Sequence, residues 1–170
     1  MKALGKAIIG GALLLTMAAP AGWADGGGGG AKNSVSWQTI IGIIQSGNIV
    51  GGITGGGQPW STLGGRAYVD LLNSVVAFKV KGLVLAGGNT IGTPGTLTAV
   101  KGTLVCNPAA TSPTIIDTPS VALDTQGNAS FYGSVSPLTA GCSASAVAFL
   151  IRVPANQHWI ANGAVQVPYP

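Results

Sequence analysis

The sequence predicts an all-β fold, an antiparallel β-sandwich (Ig-like or jelly-roll-like) of about 8–9 short strands behind a cleavable N-terminal signal peptide. Three observations carry this. Only 7% of the 170 residues are charged and 28 are glycine, so the Glu, Lys and Arg of solvated helix faces are missing. Val, Ile and Thr gather in short runs bounded by Gly, Asn, Ser and Pro, and the mature chain shows no sustained helical period. The first segment, "MKALGKAIIGGALLLTMAAPAGWADGG", has the basic start, apolar core and small-x-small sites of an export signal.

Lys2 and Lys6 form the basic start of that signal, and Ala7 to Ala19 form its apolar core. The core is shorter than the roughly 20 residues a membrane span needs. Cleavage is expected after Ala24, leaving Asp25 as the new N-terminus, with a second site after Ala21. The expected organisation is therefore a signal peptide over 1–24, a glycine-rich flexible leader over 25–33, and one β-sandwich domain over 34–170. Export would place the mature chain in the periplasm, at the cell surface or in the medium, with no membrane span of its own.

The strands follow in order. "SWQTIIGIIQSGNIVGGITG" suggests two strands around Ser46-Gly47-Asn48, and "GGGQPWSTLGG" reads as a loop. "RAYVDLL", the turn pair Asn73-Ser74 and "VVAFKVKGLVL" form a hairpin, with Val76, Phe78 and Val80 on one face and Ala77, Lys79 and Lys81 on the other. "AGGNTIGTPGT" is a loop with Pro94-Gly95 suited to a type II turn. In "LTAVKGTLVC" the alternation puts Cys106 on the side of Val100 and Leu104. "SVALD", the turn "TQGN" and "ASFYGSV" suggest another hairpin, and "AVAFLIRV" the most apolar strand. "HWIANGAVQV" ends the domain, with Asn162-Gly163 signalling a two-residue hairpin turn.

In an exported chain an even pair of cysteines implies one disulfide, Cys106 to Cys142. Closing that loop would stabilise the fold by about 3–4 kcal/mol in the chain-entropy model. A redox site would show Cys-x-x-Cys, and a zinc site about four ligands, which one histidine and two distant cysteines do not supply. Metals and cofactors are therefore not expected. Without the signal, six basic residues stand against four acidic ones, a net charge of +2, and the basic residues are scattered. Nucleic-acid binding, which needs a concentrated basic face, is excluded.

Three functions remain, in order of expectation. The first is an exported, non-catalytic protein with a structural, adhesive or protein-binding role, engaging a cell-surface protein or glycan. The second is a carbohydrate-binding module that stacks sugars on Trp60 in its loop, helped by Tyr132. The third is a small hydrolase centred on His158, although no G-x-S-x-G elbow is present. Asp70 is expected in a strand, Asp117 just before Thr118-Pro119 and Asp124 at the opening of the "DTQGN" turn, and all three are expected to bond nearby backbone, as aspartates in turns commonly do, rather than to catalyse. The export and disulfide readings share one check, the intact mass of the chain from an extracytoplasmic fraction. It should begin at Asp25 and gain two hydrogens on reduction; a retained Met1 or an unchanged mass would contradict one reading or the other.

Overall fold

The computed structural model describes residues 33–138 and 141–168. The expected signal peptide, and the expected leader up to residue 32, lie outside the described residues. Within them the chain forms β1 (Ser34–Gly42), β2 (Ile49–Val50), β3 (Ile53–Thr54), β4 (Trp60–Ser61), β5 (Gly64–Asp70), β6 (Val75–Lys81) and β7 (Val84–Leu85). It continues through β8 (Ala99–Cys106), β9 (Thr114–Asp117), β10 (Val121–Ala122), β11 (Ala129–Ser134), β12 (Val147–Arg152) and β13 (Trp159–Pro168). No helix occurs among the described residues, and the ladders between these strands are antiparallel.

Nine strands make one sheet in the order β10-β8-β12-β13-β1-β5-β6-β11, with β9 also on β8. Its curvature follows from the aromatic core. Phe78 on β6 and Phe149 on β12 are four strand steps apart along the sheet, about 19 Å at ~4.8 Å per step. Their ring centroids nevertheless lie 5.6 Å apart. Phe149 also packs on Trp37 at 5.7 Å, and Phe78 on Phe131 at 6.2 Å. Only a sheet rolled about its concave face brings these rings together. The all-β antiparallel expectation is met, but the sheet is a curled half-barrel rather than clearly the two facing layers of a sandwich.

The alternation expected for β6 holds: Val76, Phe78 and Val80 are buried, while Lys79 and Lys81 are exposed. β8 departs from simple alternation, since seven of its eight residues are buried. Val100, Gly102, Leu104 and Cys106 face the aromatic core. A Cβ on Gly102 would lie 2.9 Å from the Phe78 ring and 3.1 Å from Phe149, so the close approach of those rings needs glycine. The opposite face is covered too: a Cβ at Gly51, between β2 and β3, would lie 2.2 Å from a Val105 methyl.

The disulfide joins Cys106 to Cys142 across a sequence separation of 36 residues. Cys106 is fully buried on the face its alternation indicates. The bridge anchors the segment before β12 to the end of β8, where the Asn107 N–H also donates to the Ala146 carbonyl at 2.6 Å.

Several local expectations are corrected. Asn162-Gly163 is not a turn, because β13 runs straight through it; Asn162 pairs with Ile41 and Leu150, and Gly163 sits beneath the Trp37 ring. Tertiary packing overrides the local turn signal there. "SVALD" and "ASFYGSV" are joined by the expected turn, with Asp124 N–H donating to the Asn128 carbonyl at 3.1 Å. The two arms do not pair as a ladder, however: β10 joins β8 and β11 joins β6. The "GGGQPWSTLGG" segment contains β4, and β9 has no counterpart among the expected strands. The curvature yields a stability test by urea unfolding. Gly102→Ala should destabilise by about 1–3 kcal/mol through overpacking, whereas Gly57→Ala, where a Cβ meets nothing within 4 Å, should change little.

Candidate functional site

Charged side chains gather in one place on the covered outer face of β8. Lys101 and Arg152 are directly opposite on β8 and β12, an arrangement that repels unless a negative group intervenes. β9 supplies that group. Asp117 Oδ2 accepts from Lys101 Nζ at 2.6 Å, and Oδ1 accepts from Arg152 Nη1 at 3.1 Å and from Thr103 Oγ1 at 2.6 Å. Lys101 Nζ also donates to Gln157 Oε1 at 2.6 Å, and Arg152 Nε to the Gln157 carbonyl at 2.8 Å. Gln157 adopts a φ of 63° in the turn between β12 and β13, so the cluster locks that turn to three strands.

Lys101 and Arg152 are buried, and the Asp117 side chain is 34% exposed. Burial by itself would raise the Asp117 pKa. The hydrogen bonds from Lys101 and Thr103 and the charges of Arg152 and Lys101 outweigh it, so the carboxyl titrates below its usual 3.8. No buried side-chain nitrogen or oxygen among the described residues lacks a partner. A cluster bonded in this way ties β8, β9, β12 and the β12–β13 turn together.

The other aspartates behave as turn residues. Asp70 Oδ1 accepts from the Leu72 and Asn73 N–H groups, each at 3.0 Å. Asp124 Oδ1 accepts from Gln126 N–H at 2.9 Å and Asn128 N–H at 2.8 Å. Asp117 was expected to bond nearby backbone and instead ends β9 in the ion cluster. Each described aspartate is thus engaged away from His158. That residue is half-buried in the β12–β13 turn, its N–H donating to Asn156 Oδ1 at 3.1 Å and its carbonyl accepting from Val153 N–H at 2.9 Å. No described aspartate is placed to orient it as a triad requires. Among the described residues no three His, Cys, Asp or Glu side chains gather to hold a metal ion.

The two candidate sugar-binding residues are not brought together. Trp60 was expected in an open loop but lies in β4, paired with Leu85, and is only 8% exposed. Its ring packs in the core and offers no face for stacking. Tyr132 is 76% exposed on the edge strand β11.

A different surface feature emerges from the charge distribution. Residues 33–65 and 82–100 contain no charged residue at all. These two segments lie against each other through the β4–β7 ladder, through Ala86 N–H donating to the Pro59 carbonyl at 2.9 Å, and through Gly87 beside the Pro59 ring. Together they expose Ile41, Ile44, Ile49, Leu63 and Ile91, with Ile44 and Leu63 at 85% and 88%. The charge-free intervals are visible in the sequence; that they adjoin is a tertiary fact.

No family model, curated protein or solved structure matches this chain.

The Asp117 cluster predicts a pH dependence. A carboxyl whose pKa is lowered by folding stabilises the fold above its unfolded pKa, and that stabilisation disappears as pH falls through the lower folded value. Stability should therefore fall below about pH 4, and Asp117→Asn should flatten that part of the profile. At neutral pH Asp117→Asn should cost about 1–3 kcal/mol, less than for a fully buried pair because Asp117 is partly solvated. Urea unfolding across pH measures both.

Proposed function

We infer that the chain is an exported, non-catalytic binding protein with a structural or adhesive role, engaging an uncharged, apolar surface on a cell-surface protein. The observation that carries this reading is the pair of adjoining charge-free segments, which present exposed isoleucine and leucine side chains. Scattered exposed apolar residues are ordinary on soluble proteins; several on adjoining charge-free segments favour an interaction surface. Interfaces are depleted of charge at their centres, because a buried ion must be desolvated there. The described aspartates are bonded to groups other than His158, which speaks against hydrolysis, and the burial of Trp60 speaks against sugar stacking.

The disulfide supports the localisation, since such bridges persist in oxidising compartments. It also suits a small domain that works at a surface, where no chaperone system maintains it.

Binding of the labelled mature protein to intact cells of its source tests the reading. Each isoleucine fully buried at an interface contributes about 1.5–3 kcal/mol, so an Ile44→Ser/Ile91→Ser double variant should bind at least about tenfold more weakly. Both side chains are exposed, so thermal stability should stay at the wild-type value. Added salt should leave wild-type binding unchanged or strengthen it. Binding that falls with salt, or that survives the double substitution, would rule this surface out.

A further inference from the structure

The sheet has a split in it. β12 pairs with β8 along its whole length, from Val147 to Arg152. With β13 it pairs only at Leu150, Ile151 and Arg152. β13 meanwhile stays paired with β1 from Ala161 to Pro168. Beyond the Leu150–Asn162 pair, therefore, the two strands diverge. Alternate backbone groups of Val147–Phe149 and of residues 163–165 then face a gap instead of each other. The gap is closed at its far end by the Gln166 side-chain amide, which donates to the Ala144 carbonyl.

A cleft of about 210 Å³ occupies this split. The rings of Trp37 and Phe149 line it along with Val147, while Asn162, Val165 and Gln166 stand on the β13 side. No charged side chain lines it. Val165 has a φ of 54°, in the left-handed region that a β-branched residue rarely enters, and it is 65% exposed. Backbone strain of this sort persists where the surrounding structure imposes it, and it concentrates at ligand clamps and similar sites. The strained residue thus lines the cleft, three residues beyond the last β12–β13 pair and at the one position within 161–168 that the β1 ladder skips.

We propose that this split is a binding site for a small uncharged molecule, about one ring system in size, with an apolar face and an amide-like hydrogen-bonding edge. The size follows from the volume: apolar cavities of about 150 Å³ take up benzene. The neutrality follows from the lining, because an ion entering here would lose its hydration with no opposite charge to replace it. The hydrogen-bonding edge follows from the backbone groups that the split leaves off the β12–β13 ladder, with the side-chain oxygens of Asn162 and Gln166 beside them as acceptors, their amide nitrogens already donating to the Gly163 and Ala144 carbonyls. The cleft borders the charge-free segments through Trp37 and Val50, but the proposal rests on the split between β12 and β13 and not on the function assigned to those segments.

Indole, a neutral ring system with one N–H donor, is the probe, titrated into the ¹⁵N-labelled, disulfide-bonded protein and followed by amide chemical shifts. Saturable shifts should be confined to residues around 147–150 and 162–166. Ala148→Leu, which narrows the cleft, should weaken binding about tenfold or more. Gln166→Ala, at an exposed residue and so safe for folding, should weaken it about three- to tenfold, the worth of one neutral hydrogen bond. Indole-3-acetate, which carries a carboxylate, should bind more weakly than indole. No saturable shift in those residues would mean that the cleft holds only water, and shifts indifferent to both substitutions would place the probe elsewhere; either result overturns the proposal.

Discussion

The contact between Phe78 and Phe149 is the constraint on which the rest of the fold depends. It joins strands that a flat sheet would hold far apart, and it is possible only because Gly102 leaves room beneath both rings. Once the sheet is rolled to make this contact, Trp37 and Phe131 extend the aromatic row across four strands. The concave face then closes over Val69, Val76, Val80, Val100 and Leu104, which are essentially inaccessible to solvent. A chain this poor in charge gains its stability from such burial, and the disulfide fixes the end of β8 where the roll begins.

The few charges are used economically. Lys101 and Arg152 would repel each other across the β8–β12 ladder, and both are taken out of water by the layer that covers β8. Asp117 makes the arrangement tolerable by meeting both cations, and Gln157 accepts one further hydrogen bond from each. Such a cluster adds specificity more than net stability, because desolvation offsets much of the attraction. What it specifies is the position of β9 and the shape of the β12–β13 turn, neither of which has a strong local signal. His158 is held in that turn by its N–H donating to Asn156 Oδ1 and its carbonyl accepting from Val153.

Confining charge to part of the chain has a counterpart elsewhere on the molecule. Residues 33–65 and 82–100 carry no charge, and the half-barrel brings these segments together through two-residue strands that would be negligible in isolation. The same curvature strains the sheet between β12 and β13. β13 has to follow β1 while β12 follows β8, and where these demands conflict the strands separate and Val165 takes up the bend. Rolling a single sheet thus produces both an apolar surface and a cleft.

What the sequence determined by itself was whatever rests on local pattern. Strand periodicity placed β5, β6, β8 and β12, the alternation at Val76, Phe78 and Val80 identified the buried face, and the phase of Val100 and Leu104 put Cys106 inside. Turn-forming residues placed the turns at Asn73-Ser74 and at Asp124. The tertiary structure decided everything that depends on which strands meet. Asn162-Gly163 has the local signature of a turn, yet two neighbouring strands and the Trp37 ring hold it extended, because several ladder hydrogen bonds and a buried ring outweigh one turn preference. Trp60 sits among loop-forming residues, yet pairing with Leu85 draws it into the core. Asp117, Lys101 and Arg152 are remote in sequence and find one another only through the β8–β9 and β8–β12 ladders. Local propensity acts over a few residues, whereas the choice between a sandwich and a half-barrel is made by long-range packing, on which a single sequence without ladder information is silent.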